Sequence, residues 1–433
     1  MTPLLGGYIA DSYLGRWKAI LLFFSIYLVG MTFVAFAAFM PSGPEASMIF
    51  FPAAYVVAAG MGGLKPLAST FGADQLDDDE GDEGDEEATG DAGEEGEGEG
   101  EGEGGLKDSY FSLLYWFQNL GAFAAFTVLV YLCQNVSFQV GFTVAAIGLS
   151  LSLLVLVMGS RHYTIKPPEG SPFGVVISVI GQAIVKRVPG QGMLAGARTS
   201  FGGRHSDDDV DMVAQLGRLL PVFVILIIYW GINGQMSTTF FNQGCQMNLK
   251  VGNDFTVPVA ALSLFDTAII ILLVPVFDSW VYPTMRKMGI PTSTLHKMMY
   301  GMGIEVAVMA GAAWLESKRR AIVDAGHLAG QSVCFEGDGE AEPIIAADMT
   351  IFWQVPLFLG MGISEILTSI PAMDFFYSEA PGPMKSVCSA LELLTVSLGQ
   401  WLMAGLIPLV NSGEDKWIPS DLNQVRVVVQ RRK

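Results

Sequence analysis

Along this chain apolar residues collect into nine runs, at approximately 19–40, 48–68, 109–132, 138–158, 219–242, 257–281, 297–314, 350–372 and 387–410. Each run approaches or exceeds the roughly 20 residues that a helix needs to cross the hydrocarbon core of a bilayer. The pattern predicts an all-α integral membrane protein whose helices form one bundle, and it excludes a soluble globular enzyme. Several runs contain Gly or Pro, as in Gly60 to Pro66, which bilayer helices tolerate when neighbours satisfy the backbone.

Composition changes this picture in one place. The 433 residues carry a formal charge of -19 yet have a mean hydropathy of +0.44. Sixteen acids and no base lie between Asp77 and Glu103, so the rest of the chain is nearly neutral. This Glu/Gly segment, taken as 77–105, is too charged and too poor in apolar side chains to pack, and is expected to be a disordered cytoplasmic insert. Nucleic acid is excluded as a partner, because phosphate binding needs clustered Lys and Arg and only 24 scattered bases are present.

Basic residues in short loops orient the spans. With Arg16 and Lys18 inside, alternation puts fourteen of the 24 bases in cytoplasmic loops, among them Lys107, Arg161, Lys166, Arg286 and Lys385. The cluster Lys318, Arg319 and Arg320 falls on the other side, against the rule. Residues 161–218 form a long cytoplasmic linker between four front spans and five back spans, and its apolar stretch Phe173 to Val188 suits the membrane surface. Cys133, Cys245, Cys334 and Cys388 show neither CxxC spacing nor the density of a disulfide scaffold, so no metal site is expected. Met1 to Ala10 has no basic n-region or cleavage site, and no signal peptide is read there.

Several polar groups stand out against this apolar background. Asp11 precedes Arg16 by five residues in a Gly-containing cytoplasmic turn; such a pair suits a clamp made in one conformational state and released in another, or else a helix cap beside a positive-inside Arg. Lys65, within Gly60-Met-Gly-Gly-Leu-Lys-Pro66, is an intramembrane cation that either serves function with a partner or snorkels to the interface. Gln118 and Asn119 suit a substrate contact or an interhelical bond. Tyr229 to Thr239 gathers polar groups and Trp230 around a Gly-broken centre, fit for a small polar solute or a hydrogen-bond seam. Glu365 is the one carboxylate in the middle of its span. An acid in the back group and Lys65 in the front group suit the two ends of a zwitterion, or a proton exchange. Glu305 and Glu392 lack comparable neighbours and rank lower.

These residues carry a family resemblance. The stretches Thr2 to Lys18, Gly60 to Pro66 with Phe71 to Gln75, Phe111 to Gly121, Leu219 to Pro221, and Asp374 to Pro381 with Met384-Lys385-Ser386 recur in the order found in proton-dependent oligopeptide transporters (peptide and nitrate transporter family). The chain is identified as resembling that branch of the major facilitator superfamily, closer to its plant members. The resemblance implies two pseudo-symmetric six-helix halves. It would place the end of span two to span six in residues 1–160, the linker in 161–218, spans seven to eleven in 219–410 and a divergent tail in 411–433. The first span with its E-x-x-E-R motif, most of the second and the twelfth would be missing, as in an incomplete gene model.

By the same resemblance Lys65 meets a substrate carboxylate, Asn119 and Trp230 line the site, and Glu365 receives a peptide amino terminus. Gly234 stands where many peptide-transporting members have an acid. The implied function is proton-coupled symport of di- or tripeptides by alternating access in a plasma, vacuolar or other organelle membrane, with nitrate or another small anion as the alternative substrate. No enzymatic activity, cofactor or metal is implied beyond the proton motive force. The expected partners are substrate, protons and lipid, with a basic cytoplasmic protein for 77–105. A membrane sensor without transport, or an inactive fragment, is the remaining alternative.

Overall fold

The computed structural model describes residues 2–41, 43–77, 99–168, 172–188, 192–251, 255–332, 344–412 and 422–424. Nine of its helical segments are long and apolar enough to cross a membrane, and each overlaps one predicted span. Two compact units are present, Met1–Val224 with Pro371–Leu394 and Ile225–Ile370 with Thr395–Lys433. These differ from the expected halves, because 371–394 and the start of the seventh-span helix belong to the first unit.

The first unit opens with α1 (Thr2–Ile9) and a π-helical turn, Ala10–Leu14. Gly15 breaks the helix at φ +76°, a backbone that L side chains rarely adopt, and α2 (Arg16–Ala38) starts anew. Apolar area drives little association inside lipid, so close approach of small residues does. Gly30 on α2 brings its Cβ position to 2.7 Å from the Val57 nitrogen on α3 (Pro44–Asp77). Gly60 and Gly63 of α3 in turn press on Tyr27 and Phe23. The exposed Val29, Phe33 and Phe36 of α2 suit lipid.

Next come α4 (Glu99–Ala124) and α5 (Phe138–Met158), the latter capped by Ser137, whose hydroxyl accepts the Val140 N–H at 3.2 Å. Residues 99–105 of the acidic segment are thus helical, correcting the expectation of disorder there; 78–98 lie outside the described residues. In the linker, α6 (Pro172–Val185) buries Val179 and Ala183 against Val210 and Val213 and exposes Ile177 and Ile184. Helix α7 (Asp207–Asn233) starts twelve residues before the predicted span at 219, because Ser206 and Asp209 form a reciprocal capping box. Its first turn carries Asp207, Asp208 and Asp209, favourable at the positive helix end.

In the second unit α7 ends in a 3-10 turn, Gly234–Ser237, followed by α8 (Thr239–Cys245). Two short antiparallel hairpins follow in loops that an all-α reading did not foresee: β1 (Lys250–Val251) with β2 (Phe255–Thr256), and β3 (Leu328–Gln331) with β4 (Ile345–Ala347). The remaining helices are α9 (Ser263–Val276), α10 (Tyr282–Lys287), α11 (Thr294–Asp324), α12 (Val355–Ser378) and α13 (Lys385–Val410). The core beneath the hairpins joins Met247, Leu262, Leu315, Ile351, Phe358 and Met361.

The charge cluster that broke the positive-inside rule has a structural explanation. Arg319 is 0% exposed; it donates to both Glu316 oxygens at 2.9 and 2.7 Å and to Asn423 Oδ1 at 2.7 Å. Arg320 donates to Glu316 as well, at 2.9 Å, and Gln243 completes the set at 3.0 Å. The single Glu316 carboxylate thus holds both guanidiniums and offsets one of their charges, while Lys318 stays exposed, 5.8 Å from the Trp314 ring centre. Cys245, in the loop expected outside, is disulfide-bonded, although the cysteines lack the density of a disulfide scaffold, whereas Cys133 and Cys388 are free thiols. A disulfide belongs on the oxidising face, in agreement with the orientation read from the bases.

Candidate functional site

In the first unit the predicted Asp11–Arg16 pair exists, with Arg16 Nε 3.7 Å from Asp11 Oδ1, but it is the weaker part of a larger network. The main partner of Arg16 is Asp74, on the last turns of α3, joined through Nη1 and Oδ2. Arg16 Nε also donates to Ser386 Oγ at 2.9 Å, and Tyr377 donates its hydroxyl to Asp74 Oδ1 at 3.1 Å. Asp11 Oδ2 accepts the Val387 N–H at 3.0 Å, which ties the end of α1 to the start of α13. Lys166 stands 3.9 Å from Asp74, and the Lys385 ammonium lies 4.2 Å from the Tyr377 ring centre.

The tight fit depends on Gly7, whose added Cβ would meet the Ser386 carbonyl at 2.7 Å. Burial pushes the Asp11 carboxyl up to about 6 from 3.8, against the opposing pull of Arg16 and the bonds from Ser386 and Val387. A cavity of about 100 Å³ beside the cluster is lined by Asp11, Arg16, Asp74, Lys166 and Lys385. The arrangement is a charge clamp at helix ends, with more members than spacing alone revealed. Asp74, Tyr377 and Ser386 were visible only as parts of motifs.

Lys65 and Asn119 belong to the same unit, on α3 and α4. Lys65 is exposed, and its charge acts on Glu392, a 5% exposed acid on α13. Lys65 therefore has an acid within its own unit, the one that local sequence context ranked low. Asn119 is half-buried and donates to the Tyr115 carbonyl of its own helix at 3.0 Å; no hydrogen bond links it to Lys65 among the described residues. A larger cavity in this unit, about 1430 Å³, is lined by Leu5, Val176, Ile180, Leu219, Phe223 and Phe376 among others, and this apolar wall does not suit a charged solute.

Trp230 and Glu365 belong to the second unit. Trp230 is buried, its ring edge-on to Tyr229 at 5.2 Å. Asn233, the last residue of α7, donates to Glu365 Oε1 at 2.9 Å. Tyr229 meets Ser364 Oγ at 3.2 Å, and Ser364 donates to the Gly301 carbonyl at 2.8 Å. The Gly-broken centre thus takes part in interhelical hydrogen bonds, one of which holds Glu365. At Gly234 the space is filled by the Gln400 amide from α13, so a neutral group takes the place where a side chain would emerge. Two further buried acids, Asp266 on α9 and Glu305 on α11, feel the charge of Glu365.

Apolar helices that carry lone acids and bases in their interior, with a charge clamp at the ends of several of them, define a membrane transport protein. The chain belongs to the POT family, whose model matches residues 17–425. It is 31% identical to Arabidopsis thaliana protein NRT1/PTR family 8.1 over 98% of this chain and 80% of that protein, and 30% identical to family 8.5 of the same plant over 98% and 76%. Its fold is similar to that of an auto-inhibited POT family peptide transporter, with a TM-score of 0.65, 22% identity, and 95% and 78% of the two chains covered. The POT family transporter PepTSo gives a TM-score of 0.64 at 23% identity over 94% and 78%. The protein is a multi-pass membrane transporter of this family.

Proposed function

We propose that the protein is a proton-coupled symporter of di- and tripeptides that works by alternating access. The observation that carries the reading is the Glu365 carboxyl, half-buried, with one oxygen held by Asn233 and with Trp230 on the same helix as its orienter. A peptide ammonium finds there a carboxylate already aimed by a hydrogen bond, in surroundings where charge attraction is stronger than in water. Within the first unit Lys65 is the cation suited to a substrate carboxylate.

Nitrate is the second reading, favoured by the neutral Gln400 at Gly234. The Glu365 carboxylate weighs against it, because an anion approaching that group is repelled. The test is uptake of labelled dialanine and of nitrate into vesicles with an inward pH gradient. Glu365→Gln should abolish dialanine uptake and leave any nitrate uptake intact; dialanine uptake equal to wild type in that variant would refute the assignment of Glu365. Plasma or vacuolar membranes both supply such a gradient, and the proton is the coupling ion in this reading.

A further inference from the structure

Two carboxyls that the substrate reading leaves unused surround Glu365 in the second unit. Asp266 on α9 is 9% exposed and Glu305 on α11 is 2% exposed. Glycines on facing helices set their height. A Cβ on Gly362, one turn before Glu365, would lie 3.0 Å from Asp266 Oδ1. Gly301, one turn before Glu305, lies so close to α12 that its Cβ would meet the Ser364 carbonyl at 2.8 Å and the Leu367 Cβ at 3.1 Å. Both acids therefore reach α12 within about a turn of Glu365, and its charge acts on each.

Among the described residues neither Asp266 Oδ1 nor Glu305 Oε1 has a hydrogen-bond partner, and neither residue forms an ion pair. Their recorded surroundings are uncharged or acidic: Tyr229 of α7 interacts with Glu305 as well as with Ser364, Glu365 and Thr368 of α12, and Asn233 holds Glu365. On α11 the cation nearest to Glu305 in sequence, Lys297, lies two turns away, 4.7 Å from the Tyr282 ring centre, and Lys318, Arg319 and Arg320 lie more than three turns away. No group of three or more His, Cys, Asp or Glu is arranged to hold a metal ion among the described residues. Unpaired carboxylates buried beside a third acid are strongly disfavoured, whereas carboxyls bearing a proton are not.

We propose that Asp266 and Glu305 are the proton-carrying pair of the second unit and exchange that proton with Glu365. In the step, an O–H bond on Asp266 or Glu305 breaks, the proton bonds to a Glu365 carboxylate oxygen, and the negative charge passes to the donor; electrons and atoms balance with no further reactant. Placing the proton beside the group that holds the substrate ammonium couples the two: a protonated Glu365 no longer attracts the amine and releases it. This inference rests on the symport reading above.

The test uses the full chain in vesicles, with dialanine as probe. Asp266→Asn and Glu305→Gln should each lower pH-gradient-driven accumulation to the level reached without a gradient, while dialanine counterflow stays within about twofold of wild type. Wild-type accumulation in both variants overturns the proposal, as does equal loss of accumulation and counterflow, or accumulation driven by a sodium gradient in place of protons. Infrared spectra supply a readout that does not depend on transport. Wild type at neutral pH should show the carbonyl band of protonated carboxyls, reduced in each variant; an unchanged band overturns the proposal whatever the uptake. Wild-type vesicles without pH-driven uptake, but with that band present and lost in the variants, refute the symport reading alone.

Discussion

Asp74→Asn removes one charge from the clamp of the first unit and keeps the side chain's size. Arg16 and Asp74 are 13% and 3% exposed at their side chains, so both are largely withdrawn from water. Breaking one partner of such a pair costs about 3–5 kcal/mol, because the other charge stays buried and uncompensated. Asp11, 3.7 Å from Arg16, offsets part of this, and an Asn oxygen still accepts the Tyr377 hydroxyl. The expected loss is therefore at the lower end, about 3 kcal/mol, or roughly 6–12 °C in midpoint for a unit of this size. Thermal unfolding in detergent reads it, with Trp17, which stacks near Phe71 and Tyr163 at 5.7 and 5.4 Å, as a local reporter. The double variant Arg16→Met with Asp74→Leu should lose less than the sum of its parts, since no charge is left stranded. A shift below about 2 °C for Asp74→Asn, or strict additivity in the double variant, would refute the buried-pair argument.

Two further outcomes follow from the same geometry. The raised Asp11 value of about 6 means that the packed cluster binds a proton that the opened chain, at 3.8, does not. Its stability should therefore rise as pH falls from about 7 through 6 towards 4, by up to about 3 kcal/mol, and Asp11→Asn should flatten that rise in midpoint-against-pH curves; an unchanged slope would remove Asp11 as its source. In the second unit, Glu316→Gln should cost about 3 kcal/mol by stranding the fully buried Arg319, whereas Arg320→Gln, at a pair about a fifth exposed, should cost under about 1 kcal/mol. Equal losses in the two variants would contradict the burial difference.

Much of this protein was legible locally. Nine spans could be read because membrane partitioning adds up residue by residue over a window of one helix, and each predicted run overlaps a helix of the structure. Boundaries erred where short-range capping intervened, as at Ser206 and Asp209, which carry α7 well below its apolar run. Residues 99–105, read as disordered from composition, continue into the helix that follows them. Lys65, Trp230 and Glu365 were legible as candidates because an intramembrane charge, or a polar cluster at a helix break, stands out without reference to any neighbour.

What sequence alone determined is which segments enter the bilayer, which face carries the bases, and which buried charges need a partner. Tertiary structure alone decided who those partners are. Arg16 turns chiefly to Asp74, 58 residues away, although Asp11 is nearer in the chain; Lys65 acts on Glu392 of its own unit; Asp266 and Glu305, unremarkable in their own helices, surround Glu365. The physical reason is that hydropathy belongs to single residues, whereas a charge pair depends on the rotation and height of two helices. Those are set by contacts such as Gly7 on Ser386 and Gly362 on Asp266, which exist only once the helices have packed.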